Sequence, residues 1–188
     1  MKNTKRLLFI VIIISFSLTN CKKGEDDPFF SFRSRKARIT GEWVLKSGNI
    51  VQKDANSEIV QTFDGNYKYI SSDTIPFQEK WTISKNGDFE KIVITSVTST
   101  TTGTWSFGNK DKAKDLKNKE SLVVRITRYQ TNQWSGPIDI SYSGTTGPIE
   151  TYIMKELRNK TLTIKYEGTS TENNLTVTYS GTMTYEKQ

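Results

Sequence analysis

Two kinds of side chain in this sequence could do chemistry: one thiol, Cys21, and a scatter of carboxylates along a chain that has no histidine. Without His the commonest general base and metal ligand is missing, so Ser-His-Asp, Cys-His and His-based zinc sites are excluded by composition. What remains for catalysis is a carboxylate pair drawn from Glu79, Asp88, Glu90, Glu150, Glu156 and Glu167. A glycosidase needs two such groups roughly 5 to 9 Å apart on the walls of one cleft. All six fall at strand ends or on outward faces of the strands read below, where solvated surface is the default. No catalytic residue is assigned, and the chain is not read as an enzyme. Asp111 and Asp115 lack the spacing of a calcium loop, so no metal or cofactor is expected.

A lone Cys cannot close an intrachain disulfide, and its setting decides its use. Lys2, Lys5 and Arg6 form a positive segment ahead of an apolar run that begins at Leu7 and reaches Leu18. Ser15, Ser17, Thr19 and Asn20 interrupt that run short of the roughly 20 apolar residues a membrane-spanning helix needs. Residues 1–20 therefore read as a signal peptide rather than an anchor or a buried helix.

Leu18-Thr19-Asn20-Cys21 resembles the lipobox of bacterial lipoproteins, in the loose form met in Bacteroidota. The resemblance implies that Cys21 becomes the first residue of the mature protein, with a diacylglyceryl thioether and an N-acyl chain such as palmitate. Two or more chains anchor stably where one binds marginally. The next residues include Glu25, Asp26 and Asp27. They are either a solvated spacer or, by similarity to the export signal of such lipoproteins, the mark that sends the protein to the outer face of the outer membrane. The expected location is thus the outer membrane, lipid-anchored, with the cell-surface face favoured over the periplasmic one.

The net charge of +7 raises nucleic-acid binding, but the charge is concentrated near the N-terminus. Residues 39–188 hold 18 basic and 17 acidic residues, a near-neutral total that implies no basic face and no nucleic-acid partner. The cluster Arg33, Arg35, Lys36 and Arg38 is either a juxtamembrane segment lying against anionic lipid or a short helical lead-in to the domain. Residues 21–38 are accordingly assigned to a lipidated tether, and residues 39–188 to one domain, expected to be monomeric.

From Ile39 onward the apolar residues alternate with period two, which predicts strands. They are expected at 41–47, 58–63, 77–84, 88–99, 102–107, 121–129, 150–157, 160–168 and 175–186. Along the last, Val177, Tyr179, Met183 and Tyr185 share one face and threonines the other. Asn86-Gly87 marks a tight hairpin. The lysine-rich stretch 108–120 reads as an exposed tip, and the Gly- and Pro-rich stretch 131–148 as a loop. Eight or nine strands with one apolar face each must hide those faces. An all-β, antiparallel up-and-down barrel does so and removes its own edges; a sandwich is the second option.

Gly41-Glu42-Trp43, the run Trp81 to Phe89, Gly103-Thr104-Trp105 and the pair of segments Tyr152 to Leu157 and Leu162 to Ile164 look, in this order, like the lipocalin-like domains of Bacteroidota lipoproteins. That resemblance implies a lipocalin-like β-barrel whose first-strand Trp plugs the closed end. By alternation an aromatic interior follows, and Trp81, Trp105, Phe107, Tyr166 and Tyr179 are the candidate contacts for a small apolar or amphipathic ligand. The other reading is a filled barrel that acts through its loops on a protein or glycan, with Trp134, Lys110, Lys112 and Lys114 as contacts.

Overall fold

In the computed structural model, which describes residues 33–133, 135–172 and 175–188 (the side chains of Glu172 and Leu175 excepted), strand pairing closes on itself. The strands are β1 (Gly41–Lys53), β2 (Glu58–Phe63), β3 (Tyr67–Ile70), β4 (Asp73–Pro76), β5 (Gln78–Ile83), β6 (Asp88–Ile94), β7 (Thr98–Phe107), β8 (Ser121–Gln133), β9 (Gly136–Ser141), β10 (Ile149–Leu157), β11 (Thr161–Glu172) and β12 (Leu175–Lys187). Eight of them, in the order β12-β11-β10-β8-β7-β6-β5-β1, form an antiparallel barrel sealed by β1 against β12 from Trp43↔Lys187 to Lys53↔Thr178. The expected all-β barrel is what forms, with a single short helix, α1 (Arg35–Ile39), among the described residues.

Four strands lie beside this circuit. The second half of β1 pairs with β2, while its first half pairs with β5, so the β2–β3–β4 sheet continues the wall above β5. On the other side β9 pairs with the end of β8, above β10. The barrel therefore has a closed end, at the start of β1, and a mouth flanked by two flaps.

Strands β3, β4 and β9 were not anticipated. The β2–β3 corner is set by Asp64, whose carboxylate accepts from the Asn66 and Tyr67 amides at 3.0 and 2.8 Å. Gly65 there has φ +93°, and a Cβ would stand 2.8 Å from the Leu45 carbonyl, so only glycine fits. β9 lies in the Gly- and Pro-rich stretch read as a loop, and both its isoleucines, Ile138 and Ile140, stay exposed, so it buries no apolar face. The break between β6 and β7 falls at 95–97 rather than 100–101. Thr95 makes it, its hydroxyl donating to the Val97 carbonyl at 3.1 Å. The Asn86-Gly87 hairpin forms with a three-residue loop, Gly87 taking φ +106°.

The closed end is plugged. Trp43 is fully buried, its indole Nε1 donating to the Ile39 carbonyl at 2.7 Å, with the Lys187 ammonium 5.2 Å from its ring centroid. Residues 35–38, placed above within the tether, form most of α1, the short helical lead-in that is one of the two readings of this basic cluster. Ser34 caps the helix by accepting from the Ala37 amide at 3.1 Å, and Arg38 and Ile39 are buried against the barrel. Arg38 donates to the Leu157 carbonyl, which ties the helix to β10. Outside, the wall carries cross-strand ion pairs, Lys80–Glu42 at 2.7 Å and Lys46–Glu186 at 3.3 Å. A lipid-facing barrel would carry an apolar band there.

Candidate functional site

Parity along three strands builds the site. On β5 the alternation that buries Trp81 and Ile83 turns Glu79 inward too. On β10 Tyr152 and Met154 are buried, and Glu150 shares their face. On β6 the same holds for Phe89 and Lys91. Tyr166 of β11 and Tyr185 of β12 complete the inner surface.

These groups meet across the barrel. Glu79 Oε1 accepts from the Trp81 indole and from the Tyr185 hydroxyl, each at 2.6 Å. Tyr166, partly buried, packs against the same core as Tyr185. Lys91 reaches from β6 to β10, its ammonium 3.1 Å from Glu150 Oε2 and 2.9 Å from the Tyr152 hydroxyl, which itself donates to Glu150. The Tyr152 ring, 4.7 Å from that of Trp81, joins the two halves. Burial, reinforced by the neighbouring carboxylates, pushes the Tyr152, Tyr166 and Tyr185 hydroxyls above the usual tyrosine range. They are donors at neutral pH.

Exposure across the cluster is graded. Glu79 is 8% exposed, whereas the side chains of Lys91 and Glu150 are 19% and 36% exposed. Water therefore enters one side of the cluster and stops at the other. The cluster holds two carboxylates and one ammonium, which pairs with Glu150, and both donors to Glu79 converge on Oε1, leaving Oε2 without a protein donor among the described residues. Chemically, this is a polar patch on the inner face of the barrel that can accept a hydrogen bond from a hydroxyl or an ammonium and donate through Lys91. Phe63 and Phe77, an edge-to-face pair at 5.0 Å, and the partly buried Ile50 and Tyr166 supply apolar surface on the same interior. Two further grooves, of about 440 and 300 Å³, lie on the outer wall, lined by outward-facing groups such as Thr82, Thr104 and Lys165.

The structure overturns the outward placement of Glu79 and Glu150. Both belong to the interior, because each stands two residues before an inward aromatic, Trp81 and Tyr152. That spacing is visible in the sequence and was the signal for them. Asp88, Glu90 and Glu167 do lie on the outer side, and Glu156 is held there by Thr163 and Arg158.

The five aromatic candidates do not come together. Trp81 and Tyr166 are in the cluster, and Tyr179 is half-buried further along β12 toward the mouth. Trp105 and Phe107 pack edge-to-face at 5.4 Å at the closed end. There the Trp105 indole donates to the Ser84 carbonyl at 2.8 Å and Lys36 sits 6.0 Å over its ring. They help to plug the barrel and do not line its mouth. Lys110, Lys112 and Lys114 are exposed in the 108–120 loop, also at the closed end. Cys21 and Trp134 lie outside the described residues.

No protein-family model matches the chain, and no curated protein matches it. Among solved structures the chain aligns with a polyisoprenoid-binding domain from Saccharophagus degradans implicated in plant cell wall breakdown, at 13% identity and TM-score 0.33, covering 78% of this chain and 98% of that one. It also aligns with Ail, the attachment invasion locus protein of Yersinia pestis, at 7% identity and TM-score 0.32, covering 80% of this chain and 100% of that one. Likeness at this level carries no argument about ligand or location. The barrel assignment stands on the strand pairing alone.

Proposed function

We propose that this chain is a lipid-anchored, non-enzymatic barrel of the cell envelope, held at the outer membrane through Cys21, that binds a small amphipathic molecule inside. The observation that carries the reading is the charged and aromatic cluster of Glu79, Lys91, Glu150, Tyr152 and Tyr185 across the interior. Apolar residues would fill this interior without desolvating the Glu79 carboxylate, so its burial favours a role beyond packing. The ligand's polar end would meet Lys91 and the unpaired Glu79 oxygen, and its apolar part the phenylalanines and tyrosines toward the mouth.

Native mass spectrometry of the protein purified from its own membranes tests this. A bound lipid or other amphiphile is expected, lost in the Lys91→Met and Glu79→Gln variants while the fold is kept. Ligand-free protein, together with no fluorescence response to N-phenyl-1-naphthylamine, would instead favour the filled barrel acting through its loops.

A further inference from the structure

The near-neutral charge total of the domain conceals a strong segregation that only the topology reveals. At the closed end, residues 33–40, 84–87, 108–120, 158–160 and 187–188 come together, and they hold thirteen lysines and arginines against three acidic residues. The turns at the mouth, 54–57, 71–72 and 95–97, hold neither lysine nor arginine. Arg33, Lys36, Lys85, Arg158 and Lys160 are exposed, Arg158 pairing with Glu156; the five lysines of the 108–120 loop are exposed too, and none of these five pairs with a carboxylate among the described residues. This crowding is felt locally: burial first, then the Arg33 charge, holds the Lys187 ammonium below its usual range. The chain also enters the described structure here, at Arg33, fewer than twenty residues after the apolar run ends at Leu18.

We propose that the closed end is a membrane-docking face, which lies on anionic lipid headgroups and points the barrel mouth away from the bilayer. Lysines and arginines that outnumber the acidic residues on this face by thirteen to three match a surface of phosphates. The plug, α1, and the 108–120 loop then form a base. The ligand-binding reading is not needed for this.

The test is partition of the full chain onto vesicles of phosphatidylcholine alone and of phosphatidylcholine with 30 mol% phosphatidylglycerol. Wild type is compared with a variant in which Lys110, Lys112, Lys114, Lys117 and Lys119 are all glutamine. Any acyl anchor or apolar segment ahead of the domain acts equally on both lipids, so the anionic-to-zwitterionic ratio isolates the charged surface. The ratio should fall about fivefold for each lysine removed. It should also collapse for wild type in 0.5 M salt, and be untouched by Lys165→Gln on the outer wall. Hydrogen exchange on the anionic vesicles should slow at 108–120 and 158–160, and not at 71–72 or 95–97. A ratio unchanged in the five-lysine variant, protection at the mouth turns, or tighter binding to duplex DNA than to the anionic vesicles at 0.15 M salt would overturn the proposal.

Discussion

The Tyr185 hydroxyl donates to Glu79 Oε1 at 2.6 Å, joining two strands, β12 and β5, that β1 holds apart in the sheet. The bond crosses the interior behind Trp43 and Leu45, so the barrel is cross-linked through its lumen as well as around its wall. Both side chains are removed from water, and each would be costly alone.

Removing the acceptor should therefore cost more than removing one donor. Glu79→Ala leaves the Trp81 indole and the Tyr185 hydroxyl unsatisfied and is expected to lose about 3 kcal/mol of stability, against about 1 kcal/mol for Tyr185→Phe. Urea denaturation followed by Trp fluorescence measures both. Equal midpoints for the two variants would show that Glu79 is not the shared acceptor.

Three buried tyrosines of the eight should resist ionisation until the chain unfolds, while the exposed Tyr69, held up by its hydrogen bond to Asp64, should ionise after the other solvent-facing rings. The folded pKa values of the buried three lie above the unfolded value near 10.0, so the folded state keeps protons that the unfolded state releases. The stabilisation is full below about pH 10 and falls above it, by about 1.4 kcal/mol per pH unit for each tyrosine until its folded pKa is reached. Absorbance of tyrosinate should rise for the exposed rings first and for the remaining three only as circular dichroism reports unfolding. Smooth titration of all eight with the fold intact contradicts the buried network.

Lys91 and Glu150 should behave as a coupled pair. Lys91→Met alone strands a carboxylate that is only partly solvated, with an expected loss of about 1 to 3 kcal/mol, and Glu150→Gln in the same molecule should restore most of it. A double-mutant cycle by thermal denaturation checks this; additive losses would mean the pair is screened by water and contributes little.

Gly181→Ala should open the β1–β12 seam. A Cβ at this position would lie 2.0 Å from the Asn49 carbonyl and 2.7 Å from Ile50 Cα, both backbone atoms that cannot rotate away. A loss of about 1 to 3 kcal/mol is expected. Faster hydrogen exchange confined to residues 48–53 and 178–184 is the accompanying signature, and its absence would move the strain elsewhere.

Cys21→Ala should leave the barrel folded and move the protein out of the membrane fraction, because nothing in the plugged end depends on a lipid. Full retention of the variant in membranes at high salt refutes anchorage through the thiol.

Period-two alternation was enough to reach the barrel, because burying one face of each strand is a local pattern that any closed antiparallel sheet satisfies. Trp43, Trp81 and Tyr185 could be placed inward from that pattern, and all three are fully buried. Counted from Trp81 and Tyr152, the same alternation puts Glu79 and Glu150 inside, against the outward reading that a carboxylate's default to the surface suggests; whether a charge is tolerated inside depends on partners from other strands. Those partners, Tyr185 for Glu79 and Lys91 for Glu150, are more than fifty residues away in the chain.

Sequence alone determined the class of fold, the placement of its apolar faces and the single thiol available for an anchor, since these depend on residue type and short-range spacing. Tertiary structure alone decided which ionisable groups share the interior and that the basic residues gather at the closed end. Charges interact through space, and only the order in which strands close the barrel sets which of them are neighbours.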